Sequence, residues 1–250
     1  MTSAGSVFRS NPFLALVWLF SRNLVSKGKV FLALGVGVLS CLLGFALRQS
    51  SNPADVMDFL FFYGLALVVP VFSLVMASSA LGNLVEDETL VYLWLRPTRR
   101  IYIAAAAWLA SFALSLPPTV IPLTLATAIA TSGDSTLTMA TFGAVTLGVL
   151  AYTALFTLLG LLLRRALIIG LAYLFIWELF VTKAGEGAAS LSVSAYPLAA
   201  LVEWSQSPVI GVEGGALGDR SLTTAVLVPF LVAVVCIGLT GYRLAKSNVT

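Results

Sequence analysis

Of the 250 residues, 59% are hydrophobic and 10% charged, and the mean hydropathy is +1.01. Soluble domains are roughly half apolar and a quarter charged, so this composition excludes water as the main solvent and indicates an all-α polytopic membrane protein. The chain has no histidine, which removes imidazole bases and most zinc and haem sites; its net charge of +3 is scattered without aromatic interleaving, which argues against a nucleic-acid partner.

Near the N-terminus, Asn11 caps a helix whose first position is Pro12, and Phe13, Leu14, Leu16, Val17, Trp18 and Phe20 follow. The apolar stretch is too short to cross a bilayer. It predicts an interfacial helix on the cytoplasmic leaflet, with Trp18 at headgroup depth and Arg22, Lys27 and Lys29 facing phosphates. Polar and basic residues follow it where a small-residue cleavage site would stand, so the N-terminus is expected to remain in the mature protein. Residues 1–29 therefore read as a cytoplasmic segment and 30–250 as a transmembrane domain.

Apolar runs at Val30–Leu47, Phe59–Leu84, Ile101–Ala130, Met139–Leu163, Ala166–Val181 and Leu222–Leu244 predict six spans. Pro117, Pro118 and Pro122 should kink or break the third. Cys41 and Cys236 lie inside apolar runs and behave as small hydrophobes, with no disulfide expected. Arg9, Arg22, Lys27, Lys29, Arg96, Arg99, Arg100, Arg164, Arg165, Arg243 and Lys246 fall on one side of the predicted topology; Arg48, Lys183 and Arg220 fall on the other. Positive charge favours the cytoplasmic side, which predicts a multi-pass protein of the cell membrane with both termini inside.

The connection Thr182–Ser221, predicted outside, contains Ala195–Trp204, where Leu198, Leu201 and Val202 share a helical face. A short helix or helical hairpin dipping into the outer leaflet is expected there. Glu178 is the carboxylate within a span and is a candidate pathway residue by that placement. At roughly 20 Å of helical rise beyond Arg165, it is expected near the outer interface, in reach of the outer loop. The small residues Ala77, Ser78, Ser79, Ala80 and Gly82 permit close helix approach, and with Pro70 they make the second span a further candidate lining of a path.

No phosphate-cradling G-x-x-x-x-G-K-[ST] occurs, nor any H-E-x-x-H, C-x-x-C or paired intramembrane carboxylates, so the chain is read as a non-enzyme that binds no cofactor itself. The connection over 86–100 is the most informative stretch. Glu86, Asp87 and Glu88 leave the membrane, Thr89, Leu90, Tyr92, Leu93, Trp94 and Leu95 form an amphipathic segment, and Arg96, Pro97, Arg99 and Arg100 lead back in. Apolar side chains on the water side call for a partner surface or the leaflet.

This stretch resembles the coupling helix of the permease subunits of type 2 ABC exporters, in which an acidic cluster, a Thr, a hydrophobic segment and a Pro-x-x-Arg-like end dock into a separate nucleotide-binding subunit. The matching residues are Glu86, Asp87, Thr89, Leu90, Tyr92, Leu93, Arg96, Pro97 and Arg100, with Trp94 as a further anchor; many members carry Gly where this chain has Glu88. The N-terminal Asn-Pro helix, the six spans and the long outer segment extend the resemblance over the whole chain. It implies an exporter permease that forms a path as a dimer, with a second copy or a homologous permease, lined by the second and fifth spans. It also implies a cytoplasmic ATPase partner that holds ATP and Mg. An ATP-independent secondary transporter or channel is the main alternative, and a non-transporting membrane scaffold a third; the transporter class often shows internal repeats and intramembrane charges, of which this chain offers Glu178 alone.

Overall fold

A computed structural model describes residues 12–49, 53–86, 99–178, 192–206 and 221–246. They form helices throughout, with no strand among the described residues. In chain order these are α1 (Pro12–Leu24), α2 (Lys27–Leu47), α3 (Pro53–Asp58), a π-helical stretch π1 (Phe59–Val68), α4 (Val69–Glu86), α5 (Arg100–Ala130), α6 (Ser135–Leu162), α7 (Ala166–Tyr173), a second π-helical stretch π2 (Leu174–Glu178), α8 (Ala195–Ser205) and α9 (Leu222–Lys246). Five helical rods are long and apolar enough to cross a membrane: α2, the continuous rod over 54–82, α5, α6 and α9. The fifth predicted run, Ala166–Val181, is different. Its described part, Ala166–Glu178, is a shorter apolar helix.

Helix ends follow local chemistry. Ser26 caps α2 by accepting from Lys29 N at 3.4 Å, so this helix begins ahead of the predicted boundary at Val30. The turn between α5 and α6 holds Ser132 at φ 55° and Gly133 at φ 93°, the latter a conformation glycine adopts without steric cost, and Asp134 then caps α6 through Thr136 N at 2.9 Å. Of the kink or break expected in the third span, the break is absent: α5 is one helix through Pro117, Pro118 and Pro122. Each proline frees one carbonyl four residues back, a loss that a helix with long, well-packed flanks accommodates.

The rods pack around α4 and α6, which make the most extensive contact, with α5 and α9 against them and α2 on the flank of α5. Small residues set the approach. A Cβ on Gly160 of α6 would stand 2.7 Å from Ser78 O of α4, and one on Gly44 of α2 would stand 2.6 Å from Ala126 O of α5. Hydroxyls within the rods return to their own helix: Thr119, Thr127, Thr141, Thr153, Thr157 and Thr240 all donate to the carbonyl four residues back. The outward faces carry Phe31, Leu34, Val38, Phe45, Phe230 and Val234, as a lipid-facing surface requires.

The N-terminal helix is held by the bundle. Leu16, Phe20 and Leu24 of α1 are buried against Ala80 and Leu81 of α4, Ile103, Ala104 and Ala107 of α5, and Leu244 of α9. Its other face exposes Leu14 and Trp18, and Arg22 lies over the Trp18 ring at 5.5 Å.

Candidate functional site

Glu178 ends π2 and is 5% exposed. Its Oε1 accepts from the Tyr152 hydroxyl of α6 at 2.9 Å and from Val193 N at 3.2 Å. Its Oε2 accepts from the hydroxyls of Ser192 and of Ser194, the latter at 2.7 Å. A carboxylate offers about four lone-pair positions, so these donors fill its accepting capacity, as an anionic side chain away from water requires. The Tyr173 phenol lies beside the same group. Tyr152 is fully buried and stacks on Phe156, with ring centroids 5.8 Å apart, which fixes the hydroxyl toward Glu178.

The expected pairing of Glu178 with the 182–221 connection is present, through Ser192, Val193 and Ser194. Tyr152 stands ten residues from the Leu162 end of α6, roughly 15 Å along a helix whose full rise is about 40 Å. Glu178 therefore sits part-way along α6, where residues 192–194 meet it. From Ser194, α8 continues along α6: Pro197 approaches Gly148, and Trp204 covers Gly143 and neighbours Ser135 and Thr136 at the far end. Leu198 and Leu201 are buried against the bundle, so the short helix predicted in the 182–221 connection exists and lies between α6 and α9. The pair α7–π2 and α8 thus covers one flank of α6 in two pieces, and Glu178 satisfies the backbone donor of Val193 at the break. The N-terminal end of α8 carries partial positive charge, which favours a carboxylate there.

A groove of about 870 Å³ opens between α2, α4 and α5. Along α2 it is lined from Val30 to Phe45; Phe72 and Met76 of α4 and Pro117, Pro118 and Pro122 of α5 form its floor. Lys29 sits at one end. It donates to Ser79 Oγ at 2.5 Å, a partner the sequence did not indicate, while Ser79 gives its own proton to the carbonyls of Val75 or Met76.

Of the other candidates, Pro70 and Ser78 are buried, with Ser78 against Gly160, and neither lines the groove. Ser79 is bound to Lys29. Asp87, Thr89, Leu90, Tyr92, Leu93, Trp94, Arg96 and Pro97 lie outside the described residues; Glu86 closes α4 and Arg100 opens α5, so the two long helices bracket the segment. Sequence reasoning missed Tyr152, Ser192, Ser194 and the pairing of Lys29 with Ser79. The one available signal was a polar residue at the edge of an apolar run. Among the described residues no cluster of metal-ligating side chains occurs. No protein-family model matches this sequence, and no curated protein is significantly similar to it.

Proposed function

We propose that this chain is the membrane-spanning permease subunit of an ATP-driven ABC exporter, working as a dimer with an ATPase subunit that is a separate chain. One observation carries the reading. An acidic cluster, a run of apolar and aromatic residues and an Arg-Pro-x-Arg-Arg end stand between the close of α4 at Glu86 and the start of α5 at Arg100. Rigid helices on both sides of such a segment suit it to transmit force: closure of the ATPase dimer pushes on Thr89–Leu95 and tilts the rods between inward-open and outward-open states. ATP and Mg belong to the partner, because this chain lacks the phosphate-cradling loop.

In this reading the chain crosses six times, the fifth crossing being made in two pieces by α7–π2 and α8, and both termini are cytoplasmic. The distribution of basic residues supports that parity: a return of the chain at Glu178 without crossing would put Arg243 and Lys246 outside. The rival, an ATP-independent transporter, rests on Glu178 as a coupling site. Four donors already fill its oxygens, which supports a structural role for it.

The test is a pull-down of the cognate ATPase with a Tyr92→Ala/Trp94→Ala variant. Large aromatic anchors carry a disproportionate share of interface energy, so their loss is expected to cost about 2 kcal/mol or more, roughly thirtyfold in affinity, with membrane expression retained. Full retention of ATPase binding and transport would refute the assignment.

A further inference from the structure

The groove between α2, α4 and α5 lies outside the 86–100 segment assigned to coupling, and its shape and charge point to a ligand of their own. We propose that it binds an anionic phospholipid of the leaflet that holds its Lys29 end, with an acyl chain along α2 and the headgroup phosphate on the Lys29 ammonium. The inference stands whether or not an ATPase partner exists.

Length is the first argument. From Val30 to Phe45 the groove follows α2 for roughly 22 Å, whereas half of a bilayer's hydrocarbon core is about 15 Å. A chain anchored at one surface therefore lies wholly inside it. Lining chemistry is the second. Lys29 is the one charged residue among those lining the groove, and it stands at the end, as an amphiphile with one polar head demands. The third is charge balance. Lys29 is half-buried, at the level of Ser79, roughly 10 Å along α4 from Glu86. An ammonium carries three donors, and among the described residues its polar partner is a neutral hydroxyl, which leaves donors and positive charge for an anion. A phosphate supplies both. A helix of a second copy would fill the groove with apolar side chains, and the one carboxylate within the six apolar runs, Glu178, is committed to its own donors.

The experiment uses the full chain in nanodiscs of equimolar palmitoyl-oleoyl phosphatidylglycerol and phosphatidylcholine, released into native mass spectrometry. Wild type is expected to retain phosphatidylglycerol roughly fivefold over phosphatidylcholine, the discrimination typical of one basic group at an anionic surface. Lys29→Gln brings that ratio to about one. Gly37→Trp lowers retention of both lipids; only Pro122 Cγ, at 3.7 Å, is near a Cβ there, so the ring extends into the groove. Variants are compared after size exclusion confirms folding. Should either misfold, Cys41, which lines the groove, reports on the native lining in a Cys236→Ala background. Its alkylation by N-ethylmaleimide in detergent is expected to slow severalfold on adding phosphatidylglycerol and less on adding phosphatidylcholine. An unchanged lipid ratio in Lys29→Gln, undiminished retention in Gly37→Trp, or an unprotected Cys41 overturns the proposal. So does conversion of a dimer to monomer by Gly37→Trp with lipid retention unchanged, which assigns the groove to a second copy.

Discussion

Replacing Glu178 with alanine removes the acceptor on which four donors converge. The Ser192 and Ser194 hydroxyls lie 2.7 Å apart and can bond to each other, so the groups that lose their acceptor are the Val193 N–H and the Tyr152 hydroxyl, the latter with the Ser194 hydroxyl still beside it. A buried donor without a partner costs about 1–3 kcal/mol, and relief of a buried charge offsets part of the total, which places the expected loss at about 2–4 kcal/mol. Glutamine keeps one carbonyl acceptor, and its amide can donate to a rotated serine hydroxyl, so Glu178→Gln is expected to cost about half as much. Tyr152→Phe removes one donor to a charged acceptor, about 1.5–3 kcal/mol. In combination with Glu178→Ala it should cost clearly less than the sum, because the hydroxyl that lost its acceptor is gone. Thermal unfolding in nanodiscs measures the losses, and hydrogen exchange over 192–206 localises them, since α8 is tied at its N-terminal end by this carboxylate. Glu178→Ala with wild-type stability and unchanged exchange in α8 would refute the reasoning.

Gly160→Ala places a methyl 2.7 Å from Ser78 O, a backbone atom that cannot yield cheaply, so it should destabilise by about 1–3 kcal/mol despite the better helix propensity of alanine. Gly35→Ala, with nothing within 4 Å, should be neutral or stabilise by up to about 1 kcal/mol; equal effects of the two in thermal unfolding would remove the close-packing account. Single cysteines at Ser6, Ser190 and Ser247, in a chain with Cys41 and Cys236 replaced, should react with an impermeant thiol reagent in intact cells only at position 190. Labelling at 6 or 247 would reverse the proposed orientation.

The long rods were legible because hydropathy alone decides them: runs such as Val30–Leu47 and Leu222–Leu244 have one solvent in which they are stable, and α2 and α9 follow them to within a few residues. The run Ala166–Val181 reads the same by hydropathy, yet its described helix stops at Glu178, where the side chain binds residues 14 to 16 positions downstream. The proline-rich stretch of α5 left kink and break open, and the helix is continuous. Proline predicts a break from its own backbone, whereas continuity depends on packing by neighbours that are remote in sequence.

Polar residues in an apolar chain show most clearly what a sequence withholds. Both Lys29 and Glu178 stand out from composition as costly groups near or within a span, and a charge count treats Lys29 as a marker of orientation. Their partners lie 50 and 26 positions away, at Ser79 and Tyr152, distances at which no local pattern operates. Once packed, the two become opposites. Glu178 is surrounded by donors from α6 and from residues 192–194, with the Tyr173 phenol beside them, an arrangement that ties α8 to α6. Lys29 has a neutral hydroxyl and faces an apolar groove, so its charge is left for something that is both anionic and soluble in the membrane. The same expense that makes each residue conspicuous in the sequence is thus met inside the fold at Glu178 and outside the protein chain at Lys29.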